Sequence, residues 1–329
     1  VKFLILYLAA FASAFATALA TLPLWRKWCL RAGLVDDPGH RKIHDEPVPL
    51  AGGLAVITAL ALPILIGLLA FFILRAGQLS LLDPDTIERL NRGLQKRSLE
   101  LTVIFLGAFG MMIVGLLDDK HELKPFTKFA GQFFIAALVA AAGARITLFV
   151  PNIIFSYAIT ILWILTVINA FNFMDNMNGL CAGLGAISAL CFALLSAFAG
   201  QYLVALIAFL TCGALLGFLP YNFPRARAFL GDAGSHLVGY LLAVLAILPH
   251  FYSQKNPHAL AVLSPLLILA VPLGDMAWVI LLRWKLGKPF YIGDNNHLSH
   301  RFVQRGLTRT KAVMLIWLLA ATIGALAFV

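Results

Sequence analysis

The chain has 329 residues, of which 61% are hydrophobic and only 12% charged, with a mean hydropathy of +0.90 and a formal net charge of +10. Soluble domains carry roughly 25% charged and roughly 45–50% apolar residues, so composition excludes both a water-soluble fold and disorder. The apolar residues run in helix-length stretches and not in alternating segments of about 10 residues. That excludes a transmembrane β-barrel and predicts an all-α, polytopic membrane bundle forming one transmembrane domain over 1–329.

Apolar runs of about 20 residues bounded by charges predict ten spans in chain order. The first, 3–24, begins like a signal peptide, with Lys2, an apolar run and Ala12-Ser13-Ala14. The run continues to Leu24, so it reads as an uncleaved helix. A loop over 25–49 follows, then spans at 50–74 and 98–117. Between those two, residues 83–97 carry acids first and bases last, the polarity that suits a helix dipole, and read as a helix lying along the membrane surface. Further spans are expected at 128–144, 155–171, 179–199, 201–219, 236–252, 259–282 and 311–328.

Ten spans put the loops 25–49, 118–128, 169–178, 220–235 and 283–311 on one side. These hold 17 of the 25 Lys and Arg residues and ten of the 15 acids. By the positive-inside rule that side is cytoplasmic, with both termini outside. The basic balance therefore follows from topology and does not call for nucleic acid. The cysteines (Cys29, Cys181, Cys191 and Cys212) have no metal-ligand spacing and imply no disulfide framework.

The cytoplasmic acids cluster at span ends. Asp118-Asp119 close the third span in VGLLDDKHELKP, Asp175 closes the fifth in INAFNFMDNMNGL, and Asp232 opens the eighth in FLGDAGSHLVG. His297 and His300 lie in GDNNHLSHRF, and His40 and His44 in the first loop. Asp and Asn also decorate helix ends as caps, but four such clusters on one face point to a site. Adjacent carboxylates repel unless a cation compensates. Mg²⁺ suits one or two carboxylates plus substrate phosphate oxygens. Arg41, Lys42, Lys124, Lys128, Arg225, Arg227 and Arg301 supply bases nearby. The pattern fits a metal-bound diphosphate at a membrane surface, with Mn²⁺ as an alternative ion. His297, His300 and Asp294 also allow zinc, though no further nearby ligand completes the set. Asp275 is the one acid deep within a span, there either to pair helices or to support the last loop.

Taken together, these blocks resemble the polyprenyl-phosphate N-acetylhexosamine-1-phosphate transferases over roughly residues 33 to 310. GLVDDPGHRKIHDEPVPLAGG looks like the bacterial branch that starts O-antigen, enterobacterial common antigen and teichoic acid linkage units. LLDD, NAFNFMDNMNGL, FLGDAGS and H-L-S-H-R are similar to the other signature blocks, in the same order. The resemblance implies a Mg²⁺-dependent enzyme of the inner membrane. It would take a UDP-sugar and undecaprenyl phosphate, release UMP and begin cell-envelope polysaccharide synthesis, with a homodimer compatible with it.

The same resemblance implies roles residue by residue. Asp118 and Asp119 match the paired aspartates, one of them a base toward the lipid phosphate. Asp232 and Asn172 match the metal-holding acid and amide, Phe229 the aromatic that stacks on uracil, and Lys128 a phosphate-facing lysine. Asp175 and Asn178 match the nucleotide-sugar block, with Arg41 and His44 in the first loop among the substrate-binding residues. His297, His300 and Arg301 match the histidine loop. Two blocks depart from the pattern. Where D-G-x-D-G-L is usual, the chain has Asp175-Asn176-Met177-Asn178-Gly179-Leu180, and where H-x-H-H is usual, Ser299 replaces the middle histidine. A triple histidine is absent, which disfavours the phospho-N-acetylmuramoyl-pentapeptide branch. A secondary transporter would share the hydrophobic profile, but no internal repeat is visible and the polar clusters lie at one surface.

Overall fold

A computed structural model describes residues 2–37, 46–75, 83–147, 150–249, 259–289 and 296–328. It is helical throughout, apart from a two-residue antiparallel pairing of β1 (Val35–Asp36) with β2 (Val48–Pro49). The expected spans appear as α1 (Lys2–Ala32), α2 (Gly52–Arg75), α3 (Pro84–His121), α4 (Pro125–Ala141), α5 (Ile153–Met174), α6 (Leu180–Phe198), α7 (Tyr202–Phe218), α8 (Gly231–Leu245), the pair α9 (Ser264–Ile268) and α10 (Ala270–Lys285), and α12 (Arg309–Ala325). A short α11 (Leu298–Gln304) precedes α12. Among the described residues, seven helices are long and apolar enough to cross a membrane, or eight if the α9–α10 pair, bent by 67°, is one span. By that measure α4 and α8, which correspond to two of the ten expected spans, are short.

The segment expected as a helix along the surface is helical and forms the first part of α3. A kink at Arg97 (φ −117°, ψ 15°) sets it off from the apolar part that follows. Its charges pair along its own surface, Arg89 with Asp85 at 2.9 Å and Arg92 with Glu88 at 3.5 Å. The Tyr202 hydroxyl at the start of α7 donates to Arg89 O at 2.6 Å. These i,i+4 pairs let a polar helix continue into an apolar one.

Helix α8 is the hub. It packs against α2, α3, α5 and α6, and every side chain from Ala233 to Leu245 is buried. Protein rather than lipid surrounds it, so it need not be long. Its approach to α3 is backbone on backbone, since a Cβ added at Gly115 would lie 2.3 Å from Asp232 O. That contact brings the last turn of α3 beside the first turn of α8. The chain enters α8 through Gly231 at φ +71°, a left-handed conformation that glycine adopts without steric cost.

Candidate active site

Four helix ends deliver the polar residues. Asp118 and Asp119 lie in the last turn of α3, which Glu122 closes in a left-handed conformation. Lys128 follows one turn into α4, whose entry is set by Pro125 at its first position. Asn172 lies in the last turn of α5, and Asp232 in the first turn of α8. Lys128 Nζ donates to Asp118 Oδ2 at 2.6 Å and to Asp232 Oδ2 at 3.0 Å, and lies 3.5 Å from Asn172 Oδ1. Asn172 Nδ2 donates to Asp232 Oδ1 and, at 3.0 Å, to Ser235 Oγ. Four residues spread over more than a hundred positions thus meet around one ammonium group.

The two adjacent aspartates part company. Asp118 faces Lys128, and its other oxygen accepts from Leu123 N at 2.9 Å. Asp119 turns to α8, where Oδ1 accepts from Asp232 N at 2.7 Å and Oδ2 from Ala233 N at 3.0 Å. This is N-terminal capping supplied by a neighbouring helix, with a negative charge at the positive end of the dipole. The charge compensation expected for the acid pair is therefore divided between an ammonium and a helix terminus.

A second polar layer lies one turn further along the same helices, and the sequence reading missed it. Gln132 follows Lys128 by four residues, His236 follows Asp232 by four, and Asn169 precedes Asn172 by three. Asn169 Nδ2 donates to Gln132 Oε1 at 2.9 Å, and Gln132 Nε2 lies 3.3 Å from His236 Nε2. Gln132 and His236 are fully buried, and His236 Nδ1 has no partner among the described residues. The i,i+4 spacing from Lys128 and Asp232 was the available signal. Among the described residues, Asp118, Asp232 and His236 form the one cluster of three side chains able to ligate a metal.

Beside this floor lies a cavity of about 730 Å³. Asp119, Asn172, Asp175, Asn176, Asn178 and Asp232 line one part, and Asn222, Phe223, Arg225 and Phe229 another. Asp36 from β1 and Arg309 from the start of α12 complete it. Phe229 is held by the backbone, its N–H donating to Pro49 O at 3.0 Å while its carbonyl accepts from Gly52 N at 2.9 Å. Asn222 links two loops: its Oδ1 accepts from Gly179 N at 2.6 Å and its Nδ2 donates to Ala228 O at 2.9 Å. Asn178 Nδ2 donates to Pro224 O at 3.2 Å. Burial, then the charges of Asp232 and Asp119, push the Asp175 carboxyl up to about 8. Asn222 and Arg309 were not among the expected site residues, whereas Arg225 was expected as a nearby base and Asp36 lies in the first-loop block without an assigned role.

The histidine segment is arranged differently. His297 Nδ1 lies 2.7 Å from Asp275 Oδ2, and Asp275 Oδ1 accepts from Leu298 N at 2.6 Å. Asp275 thus supports the last loop, one of its two expected roles. The Arg301 guanidinium sits over the Trp278 ring at 4.8 Å. Among the described residues His297, His300 and Arg301 are not part of the cavity lining. Ser299, which stands in place of the middle histidine, donates its buried hydroxyl to Asn176 Oδ1 at 2.6 Å. Arg41, His44, His40 and Asp294 lie outside the described residues.

An acid–ammonium–amide cluster at the ends of apolar helices, opening on a polar cavity, has the charge pattern of a site for anionic groups. A profile of glycosyl transferase family 4 matches residues 101–250. The chain is similar to a probable undecaprenyl-phosphate N-acetylglucosaminyl 1-phosphate transferase of Bacillus subtilis, 30% identical over 318 residues and covering 94% of this chain and 81% of the relative. A decaprenyl-phosphate N-acetylglucosaminephosphotransferase of Mycobacterium tuberculosis is 34% identical over 327 residues, covering 91% and 76%. An undecaprenyl-phosphate α-N-acetylglucosaminyl 1-phosphate transferase of Escherichia coli is 27% identical over 318 residues, covering 92% and 77%. The chain belongs to glycosyl transferase family 4, in the bacterial undecaprenyl-phosphate N-acetylglucosamine-1-phosphate transferase branch. Nothing in these relatives supports the transporter alternative.

Proposed function

We propose that the protein transfers N-acetylglucosamine 1-phosphate from its UDP conjugate to undecaprenyl phosphate, releasing UMP. It does so at the cytoplasmic face of the inner membrane, with both termini outside. The observation that carries this reading is the convergence of Asp118, Lys128, Asn172 and Asp232 at the edge of the cavity. Phosphoryl transfer needs mainly positioning and charge stabilisation, and this cluster offers a fixed base, a fixed cation and an acid–amide pair.

In the balanced reaction an oxygen of the lipid phosphate attacks the sugar-bearing phosphorus. The bond from that phosphorus to the bridging oxygen breaks, and UMP leaves with the electron pair. Asp118 orients the lipid phosphate or takes its proton. Lys128, one turn into α4, neutralises phosphate oxygens. Asp119 keeps the first turn of α8, and with it Asp232, in place. Phe229 in the cavity wall offers a face for the uracil ring, while Arg225 and Arg309 offer charge to a diphosphate.

A Mg²⁺ ion fits the residues present. Asp232 and Asn172 carry the hard oxygen donors that ion prefers, and a positive charge, the Lys128 ammonium, lies beside them. Bound there, Mg²⁺ would supply charge neutralisation for the diphosphate, and Mn²⁺ could replace it. Asp118→Asn and Asp232→Asn should each abolish transfer from radiolabelled UDP-N-acetylglucosamine in purified protein. Near-normal transfer by both would overturn the assignment.

A further inference from the structure

The turn between α5 and α6 and the start of α11 are 123 positions apart, and both depart from the usual pattern, at Asn176 and at Ser299. In the structure these two departures touch. Ser299 Oγ, fully buried, donates to Asn176 Oδ1 at 2.6 Å, and Asn176 Nδ2 donates to Phe173 O at 2.7 Å. The amide is thereby fixed at both of its ends. Removing it alone would leave a buried hydroxyl without its acceptor, which costs more than a neutral hydrogen bond contributes.

The bond also sits where it can matter. Asn176 lines the cavity between Asp175 and Met177. On the other side, three successive residues at the start of α11 are anchored: His297 and Leu298 to Asp275, and Ser299 to Asn176. The first two anchors tie α11 to α10. The third ties it to the wall of the cavity, and with it the turn that carries His300 and Arg301.

We propose that Asn176 and Ser299 act together as a positioning pair for the sugar-nucleotide donor. Their hydrogen bond holds the cavity wall and α11 in one register, so the donor meets a wall that is already set. Neither residue needs to touch the reacting atoms. This inference rests on the reading of the cavity as the donor site.

The test uses full-length protein in detergent or lipid nanodiscs, with UDP-N-acetylglucosamine and undecaprenyl phosphate varied separately. Ser299→Ala and Asn176→Ala should each raise the KM for UDP-N-acetylglucosamine about five- to tenfold, the range a lost buried hydrogen bond gives. The KM for the lipid acceptor should stay within twofold. Because both changes remove one interaction, the double variant should be no worse than the poorer single one, and Ser299→Thr, which keeps the hydroxyl, should restore the donor KM. Additive losses, or donor and acceptor KM rising together, would overturn the pairing, as would a donor KM that does not move. If Ser299→Ala fails to fold, Asn176→Ala decides, since its side chain stands in a half-buried turn at the cavity wall. Absence of transfer by the unmodified protein would overturn the donor reading itself. Transfer with an unmoved donor KM would overturn only the pair.

Discussion

The floor of the site and the wall of the cavity are built on opposite plans. On the floor every charge is answered from within: Lys128 by Asp118 and Asp232, and Asp119 by two backbone amides of α8. On the wall, Arg225 and Arg309 form no ion pair with any described residue, and Asp175 is held protonated by burial and neighbouring negative charge. A floor that neutralises itself can be rigid before substrate arrives, whereas wall arginines that form no ion pair with a described residue can serve a ligand's charge. Substitutions on the floor should therefore cost stability and activity together, and those on the wall should cost binding alone.

The largest effect is expected at Lys128. Lys128→Met leaves the partly buried carboxylates of Asp118 and Asp232 facing each other without a cation, and loss of one partner from such a group costs on the order of 2–3 kcal/mol after allowing for partial exposure. Thermal unfolding should show a clear drop and transfer should fall at least about a hundredfold. A stable variant with lost activity would show that the ion pairs do not hold the floor together. On the wall, Arg225→Ala and Arg309→Ala should each raise the KM for UDP-N-acetylglucosamine about tenfold, as expected for a lost charge-assisted hydrogen bond. Their melting midpoint should be unchanged. A large shift in that midpoint would erase the distinction between the two regions.

Asp119 sharpens the comparison from the other side. As a cap it should tolerate Asn, which keeps one acceptor, better than Ala, for which a cost of about 1–2 kcal/mol is expected. Urea titrations of the two variants would compare them, and equal stability would argue against a capping role. The smallest effect concerns pH. A carboxyl whose folded-state pKa is raised disfavours the folded state progressively from its unfolded value near 4 up to about 8. In metal-free buffer the melting temperature should therefore decline between about pH 4 and about pH 8, and that portion of the decline should vanish in Asp175→Asn. An unchanged slope would mean that Asp175 is not the group responsible.

Much of this arrangement was legible from residue order. Helix-length apolar runs placed the ten segments that became α1–α8, α9–α10 and α12, polar blocks at their ends named Asp118, Lys128 and Asp232, and the family resemblance added Asn172; all four do converge. The split between Asp118 and Asp119 was not foreseen, because an acid pair reads as one motif although neighbouring residues on a helix point in different directions. Gln132, Asn169 and His236 lie within apolar stretches, where one-turn spacing from Lys128, Asn172 and Asp232 is the one mark they carry and their meeting across three helices is not visible. Asn222 and Arg309 belong to segments with no repeat or motif, and their meeting with Arg225 is a product of tertiary packing. The helix over 83–97 was legible from its acids-first, bases-last order, but the kink at Arg97 that joins it to the rest of α3 and its contact with Tyr202 were not.

The shortness of α8 has a consequence for the lipid acceptor. Fifteen residues rise about 22 Å, less than the roughly 30 Å of a hydrocarbon layer, so this helix cannot reach from one headgroup plane to the other. Its flanks are all protein, and its first turn opens on a polar cavity. The bundle can therefore carry an aqueous notch inward along its own axis. A phosphate on a long isoprenoid would then reach Asp118 by moving sideways within its leaflet, with its tail still dissolved among the acyl chains. The depth of that notch is fixed by where one buried helix begins.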